Sequence, residues 1–160
     1  MEGYNFTFMI AHNIWEIEKQ IVSRDEQIIG ITSGVFDLLH PLHVMYLQRC
    51  ASQCSDLFVL VDSDDFTLTN KKRMPIFNEQ DRCFMLDSLE CVKGVMIMRE
   101  LEDLKRTMQR LAASYKTKFF RNHSSVYGEK TITVENVELI IVPDVQRLSS
   151  TTEIINYLKS

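Results

Sequence analysis

The feature that most constrains the fold of this chain is an unbroken apolar run, Leu57-Phe58-Val59-Leu60-Val61. A strand with one wet face alternates apolar and polar side chains, whereas a continuous run belongs to a strand covered on both faces. Val92 to Met98 repeats the pattern around Gly94, and Gln27 to Ile31 carries Ile28, Ile29 and Ile31. Shorter strands are predicted at Lys118 to Phe120 and Val137 to Val142. Helical spacing fills the intervals. Ile10, Ile14, Ile17 and Ile21 mark a helix at about 9–22, and Val44, Leu47, Ala51 and Cys54 give a helix from Pro41 one apolar face. Glu79 to Leu89 reads as helix, Leu101 to Tyr115 as a strongly amphipathic one, and Ile154, Ile155 and Leu158 as a terminal one. Asp62 to Asn78 reads as a polar loop. This alternation predicts an α/β domain, three-layered and Rossmann-like, with a mainly parallel sheet.

With 160 residues, no internal repeat and no Pro/Gly-rich linker, a single domain over 1–160 is expected. A net charge of -4 argues against bulk nucleic-acid binding while leaving room for a small basic pocket. No basic-then-apolar leader and no run of membrane-spanning length is seen, so the expectation is a cytoplasmic protein without a membrane partner. Cys50, Cys54, Cys83 and Cys91 lack CxxC spacing and histidine neighbours, and read as reduced, buried thiols rather than zinc ligands. No metal-ligating residue is assigned.

The segment Thr32-Ser33-Gly34-Val35-Phe36-Asp37 joins the first strand to the helix at Pro41, with His40 and His43 straddling its start. Gly34 permits close backbone approach, Thr32 and Ser33 offer hydroxyls, and a helix start leaves amide hydrogens for an anion. Spacing alone leaves two readings of the histidine pair. They bind and stabilise phosphate, or they satisfy a buried turn. Lys71 and Lys72 likewise read as anion partners or as a solvated charge run. Arg82, three residues after Glu79, is either a reach toward an acceptor phosphate or a clamp on the basic loop. Ser150, Thr151 and Thr152 can cap the last helix or line an anion site.

The full stretch GVFDLLHPLH resembles the GxFDxxHxGH signature of the cytidylyltransferase-like nucleotidyltransferases. LFVLVDSDD at 57–65, KKRMPIFNEQDR at 71–82 and LSSTTEII at 148–155 resemble, in the same order, that family's second strand with its SD segment, its basic substrate loop and its terminal STT. The resemblance implies transfer of a nucleotidyl group from a nucleoside triphosphate to a phosphorylated acceptor, with pyrophosphate released. It implies that His40, His43 and Lys71 act on the reacting phosphates. Thr32, Ser33, Phe36, Asp37, Lys72, Arg82, Arg121, Arg147, Ser150, Thr151 and Thr152 would complete the binding site. Asp37 is open between organising the turn and acting through water and Mg2+, the ion itself arriving with the triphosphate.

The amphipathic 9–22 helix, the RMPI segment and the STT ending are most similar to heptose-1-phosphate nucleotidyltransferases. Adenylyl transfer from ATP to a heptose 1-phosphate is the leading expectation. Cytidylyl transfer from CTP to glycerol 3-phosphate or another phosphopolyol is the enzymatic alternative. Two departures keep a nucleotide-binding or scaffolding protein in view: Leu42 stands where the signature has glycine, and Arg121 to Gly128 replaces a KGxDY-like segment. A homodimer is expected by the same resemblance.

Overall fold

A computed structural model of the chain describes residues 10–11, 13–122 and 132–143. Strands β1 (Ile28–Gly34), β2 (Asp56–Asp62), β3 (Gly94–Met98), β4 (Lys116–Asn122) and β5 (Val137–Val142) form one sheet in the order β3-β2-β1-β4-β5. Each neighbouring pair is parallel. Helices α1 (Ile14–Gln20), α2 (Pro41–Ala51), α3 (Asp64–Lys71), α4 (Glu79–Asp87) and α5 (Leu101–Ala112) complete the described elements. This is the three-layer Rossmann-like architecture that the alternating pattern predicts.

The apolar run of β2 explains the layering. Leu57, Val59 and Val61 pack on one side with Leu47 and Cys50 of α2 and Cys83 and Leu86 of α4. Phe58 and Leu60 pack on the other with Ile17 of α1 and Leu104, Met108 and Leu111 of α5. All seven residues of β2 are buried. Burying one such side chain contributes about 1.5–3 kcal/mol relative to its exposed state, and both faces of β2 gain it.

Three local expectations change. The stretch 62–78 is not all loop: α3 forms within it, its N-terminus capped by Ser63, whose hydroxyl accepts from Phe66 N at 3.1 Å. Asp64 and Asp65 in the first turn complement the helix dipole. Lys72, in the left-handed conformation at φ 57°, stops it. The expected 9–22 helix is shorter, because Asn13 caps α1 and Ala11 instead makes a parallel bridge to Met96. The inner face of α2 is wider than the predicted stripe: Leu47, Ala51 and, just beyond the helix, Cys54 pack on the core as expected, and Tyr46 and Cys50 are buried beside them. The terminal helix lies outside the described residues.

The four cysteines are free thiols. Burial pushes Cys50 and Cys83 up to about 12, so both are protonated and inert at neutral pH.

The chain runs β1, β2, β3 in one direction across the sheet and returns to place β4 on the other side of β1. The crevice at the carboxyl ends of β1 and β4 is therefore the topological switch point, where open α/β sheets receive ligands.

Candidate active site

β1 ends at Gly34, and a built Cβ there would lie 3.2 Å from the Phe36 ring, so the absent side chain admits that ring. Phe36 is buried and holds φ at 51°; Leu38 holds 49°. Two non-glycine residues in the left-handed region within three positions mark a turn stabilised from outside. Asp37 supplies much of that support. Its carboxylate is almost wholly buried and accepts from Ile76 N at 3.0 Å, Phe77 N at 3.3 Å and Arg73 Nη1 at 2.9 Å. Of the two roles open to Asp37, the turn-organising one is thus built into the fold. It fastens the turn after β1 to the loop after α3.

His40 is the N-cap of α2, its side chain making no capping bond, and Pro41 follows at the first helical position. Proline there suits the fixed φ and loses no helical bond. One turn of helix brings the two imidazoles together: their rings stack at 3.8 Å between centroids with 24° between planes. The edge of Phe36 packs against His43 at 5.3 Å. Nδ1 of each histidine is buried without a protein hydrogen-bond partner. A buried polar atom in that condition calls for a ligand or water.

Burial holds His40 below its ordinary pKa. It pushes His43 down to about 4, with the neighbouring His40 adding to the depression and Asp37 opposing it. Both rings are neutral at pH 7 in the free protein. Leu42 lies between them in the first turn of α2 and keeps a negative φ, so the helix accommodates its side chain where glycine was expected.

Thr32 is fully buried, its hydroxyl 2.8 Å from the Tyr46 hydroxyl. Tyr46 was not singled out by sequence; its position three residues after His43, on the same helix face, was the available signal. Burial raises its pKa, while Arg121, near the end of β4, lies close enough to oppose that rise. Ser33 is half-buried at the end of β1. Lys71 is half-buried and its pKa is lowered, first by burial; the Asp62 carboxylate opposes the shift and Arg73 reinforces it. Lys72 is exposed. Arg73, which sequence placed only within the basic loop, joins the site through Asp37.

Arg82 requires a correction. Its side chain is fully buried and bonds only within the protein, to the Phe77, Val35 and Asp62 carbonyls and the Asp64 carboxylate. It cannot meet an acceptor phosphate from there. Nor does it clamp the loop through Glu79, which instead accepts from Asp64 N at 2.9 Å. Arg147, Ser150, Thr151 and Thr152 lie outside the described residues. No group of three or more His, Cys, Asp or Glu among the described residues is placed to hold a metal ion. No helix among them is long and apolar enough to cross a membrane.

A parallel sheet with a stacked histidine pair at its switch point has the polar groups that could receive an anion. A family model described as Cytidylyltransferase-like matches residues 31–157. The chain belongs to that family. It is 40% identical over 94 residues to the Bifunctional protein HldE of Helicobacter pylori strain P12, covering 58% of this chain and 20% of that protein. The HldE of Hyphomonas neptunium is 33% identical over 128 residues, or 77% of this chain and 26% of that one. The FAD synthase of Methanocella paludicola is 32% identical over 93 residues, 58% of this chain and 65% of its own length. The chain thus spans about a fifth to a quarter of the HldE proteins. Among solved structures, the lipopolysaccharide core biosynthesis protein of Thermoplasma volcanium superposes with a TM-score of 0.60 at 23% identity, covering 74% of this chain and 97% of that one. That likeness bears on the fold. Family membership supports a capacity for nucleotidylyl transfer.

Proposed function

We propose that the protein transfers an adenylyl group from ATP to a heptose 1-phosphate, releasing pyrophosphate. The observation that carries this reading is the stacked His40–His43 pair with both Nδ1 atoms unpartnered, at the switch point of a chain similar to the HldE proteins. The acceptor phosphate oxygen attacks the α-phosphorus of ATP, the bond from that phosphorus to the bridging oxygen breaks, and pyrophosphate leaves. A phosphate monoester is already a nucleophile, so the chain's own tasks are alignment and charge stabilisation.

His40 and His43 meet the phosphates undergoing transfer, taking up positive character as the anion arrives. Lys71, poised near Asp62, and Lys72 neutralise the triphosphate or the acceptor. Thr32, Ser33 and Phe36 line the entrance, and Arg121, Arg147, Ser150, Thr151 and Thr152 complete the nucleotide site. Mg2+ enters as part of the magnesium–nucleotide substrate, whose phosphate oxygens are the hard ligands that the ion prefers. The active species is proposed to be a homodimer working in the cytoplasm; a monomer mass independent of concentration would remove the dimer.

The test is a matrix of nucleoside triphosphates against phosphorylated acceptors, read by pyrophosphate release and product mass. ATP with heptose 1-phosphate is expected to lead. Turnover confined to CTP with glycerol 3-phosphate would reassign the substrates, and nucleotide binding without any turnover would make the chain a binder.

A further inference from the structure

Among the described residues, Arg82 is the one lysine or arginine that is buried. Its Nε donates to Phe77 O at 3.0 Å, its Nη1 to Val35 O at 2.5 Å, and its Nη2 to Asp62 O at 2.8 Å and Asp64 Oδ1 at 2.7 Å. These acceptors belong to three separate segments. Val35 lies in the turn that leads to His40 and His43; Asp62 and Asp64 end β2 and begin α3, the helix that carries Lys71; Phe77 closes the loop that Asp37 grips. The guanidinium is the point where all three meet.

A buried cation is an expensive way to fill that space. Desolvating it costs several kcal/mol, and an apolar side chain of similar volume often serves stability as well or better. What arginine supplies is direction: a planar fork of donors that fixes several acceptors at set angles, which a lysine ammonium cannot do. Asp64, partly exposed, balances the charge from one side only. The carbonyls are held by geometry.

We infer that Arg82 is a positioning residue, setting the spacing between the His40–His43 turn and the segment bearing Lys71 and Arg73 without touching the ligand. This rests on the proposed nucleotidylyl transfer for its kinetic meaning. Its structural content can be read independently, from the amides of Ile76 and Phe77, which donate to Asp37 and not to Arg82.

Arg82→Lys keeps the charge and loses the fork; Arg82→Met keeps the approximate volume and loses the charge. In folded samples of either variant, hydrogen exchange at the Ile76 and Phe77 amides should speed at least about tenfold relative to the amides of β2 and β3. The ring resonances of His40 and His43 should shift in the same samples. With ATP and heptose 1-phosphate, kcat should fall about a hundredfold, the scale expected when reacting groups are misplaced by about an ångström.

Wild-type exchange and wild-type kcat in folded variants would overturn the inference. So would a fall in kcat with exchange and histidine resonances unmoved, because Arg82 would then be acting on the ligand. If neither variant folds, Asp64→Ala removes the one charged acceptor, at the solvent side, and should give a smaller change in the same amides; no change there would also overturn it. A wild-type protein that releases no pyrophosphate defeats the proposed reaction, while the exchange result still decides the positioning role.

Discussion

The imidazole rings of His40 and His43 lie face to face with 3.8 Å between their centroids. Two protonated rings at that separation, in a partly buried site, would repel strongly, so the free protein holds both neutral. A triphosphate reverses the balance by bringing negative charge to the polar edge of the pair. Replacing either histidine by alanine should therefore cost turnover far more than folding. The loss should be roughly 3 kcal/mol of transition-state stabilisation, or about a hundredfold in kcat. Pyrophosphate release and circular dichroism on the same samples check this; unchanged kcat in both folded variants refutes the electrostatic role.

The same pair predicts how stability varies with pH. His43 titrates near 4 in the folded chain against an ordinary value of 6.5. Between those values the unfolded chain holds a proton that the folded one lacks, so stability falls as pH drops through the window. The slope from this group is at most about 1.4 kcal/mol per pH unit. The slope fades above pH 6.5, as the unfolded imidazole also loses its proton, and is gone about a unit higher. Urea midpoints measured from pH 7.5 to 4.5, pH values that bracket most of the window by about a unit or less, should decline, and His43→Gln should flatten the decline. Saturating ATP should raise the His43 midpoint, visible in its ring carbon resonance.

Asp37 joins two segments that sequence leaves far apart. Its carboxylate holds the Ile76 and Phe77 amides and the Arg73 guanidinium, and its charge favours the protonated form of His43. Asp37→Ala strands two amide donors and a half-exposed cation at once. The cost should be about 2–4 kcal/mol in chemical denaturation. Asp37→Asn keeps one acceptor and should cost less, while lowering the His43 midpoint further. A rise in that midpoint would contradict the assigned direction.

Much of this was legible in the sequence, for reasons that also explain what was not. Continuous apolar runs such as Leu57 to Val61 specify strands buried on both faces, and the order of motifs placed the chain in its family. Helix α3 escaped notice because Asp64–Lys71 has no apolar stripe. Its signal was the Ser63-Asp64-Asp65 cap, a local cue easily outweighed by polarity. Arg82 misled for a different reason: charge in a basic loop suggests a ligand, and no periodicity reveals that its guanidinium ends among backbone carbonyls. Tyr46 was hidden because it widens the buried face of α2 at a position that the stripe of Val44, Leu47, Ala51 and Cys54 passes over. Asp37 could be named from sequence, but its partners at 73–77 are a tertiary fact.

Gly30 offers a test of the packing behind the site. It lies in β1, where an added Cβ would sit 2.5 Å from Cys54 Sγ and 2.8 Å from the Phe120 ring. Gly30→Ala should destabilise by about 1–3 kcal/mol through overpacking. Cys54→Ala in the same chain should recover part of that loss, since it removes the nearest atom and leaves the aromatic contact. Full additivity of the two changes in urea denaturation would show that Sγ is not the obstacle.

The last prediction concerns magnesium and the choice of substrate. The histidine nitrogens at the head of α2 suit a hard cation poorly. A triphosphate offers the oxygen ligands that Mg2+ prefers, and the ion in turn neutralises the charge that must build on the departing pyrophosphate. The purified chain should therefore carry no stoichiometric magnesium by elemental analysis, while product formation from ATP and heptose 1-phosphate should rise steeply in a magnesium titration and vanish in excess chelator. Running CTP with glycerol 3-phosphate alongside separates the metal question from the substrate question, because both pairs need the ion and only the acceptor and base differ. Product formation undiminished by chelator would remove magnesium from the reaction. Magnesium-dependent turnover of the CTP pair alone would keep the phosphate chemistry and overturn the heptose assignment.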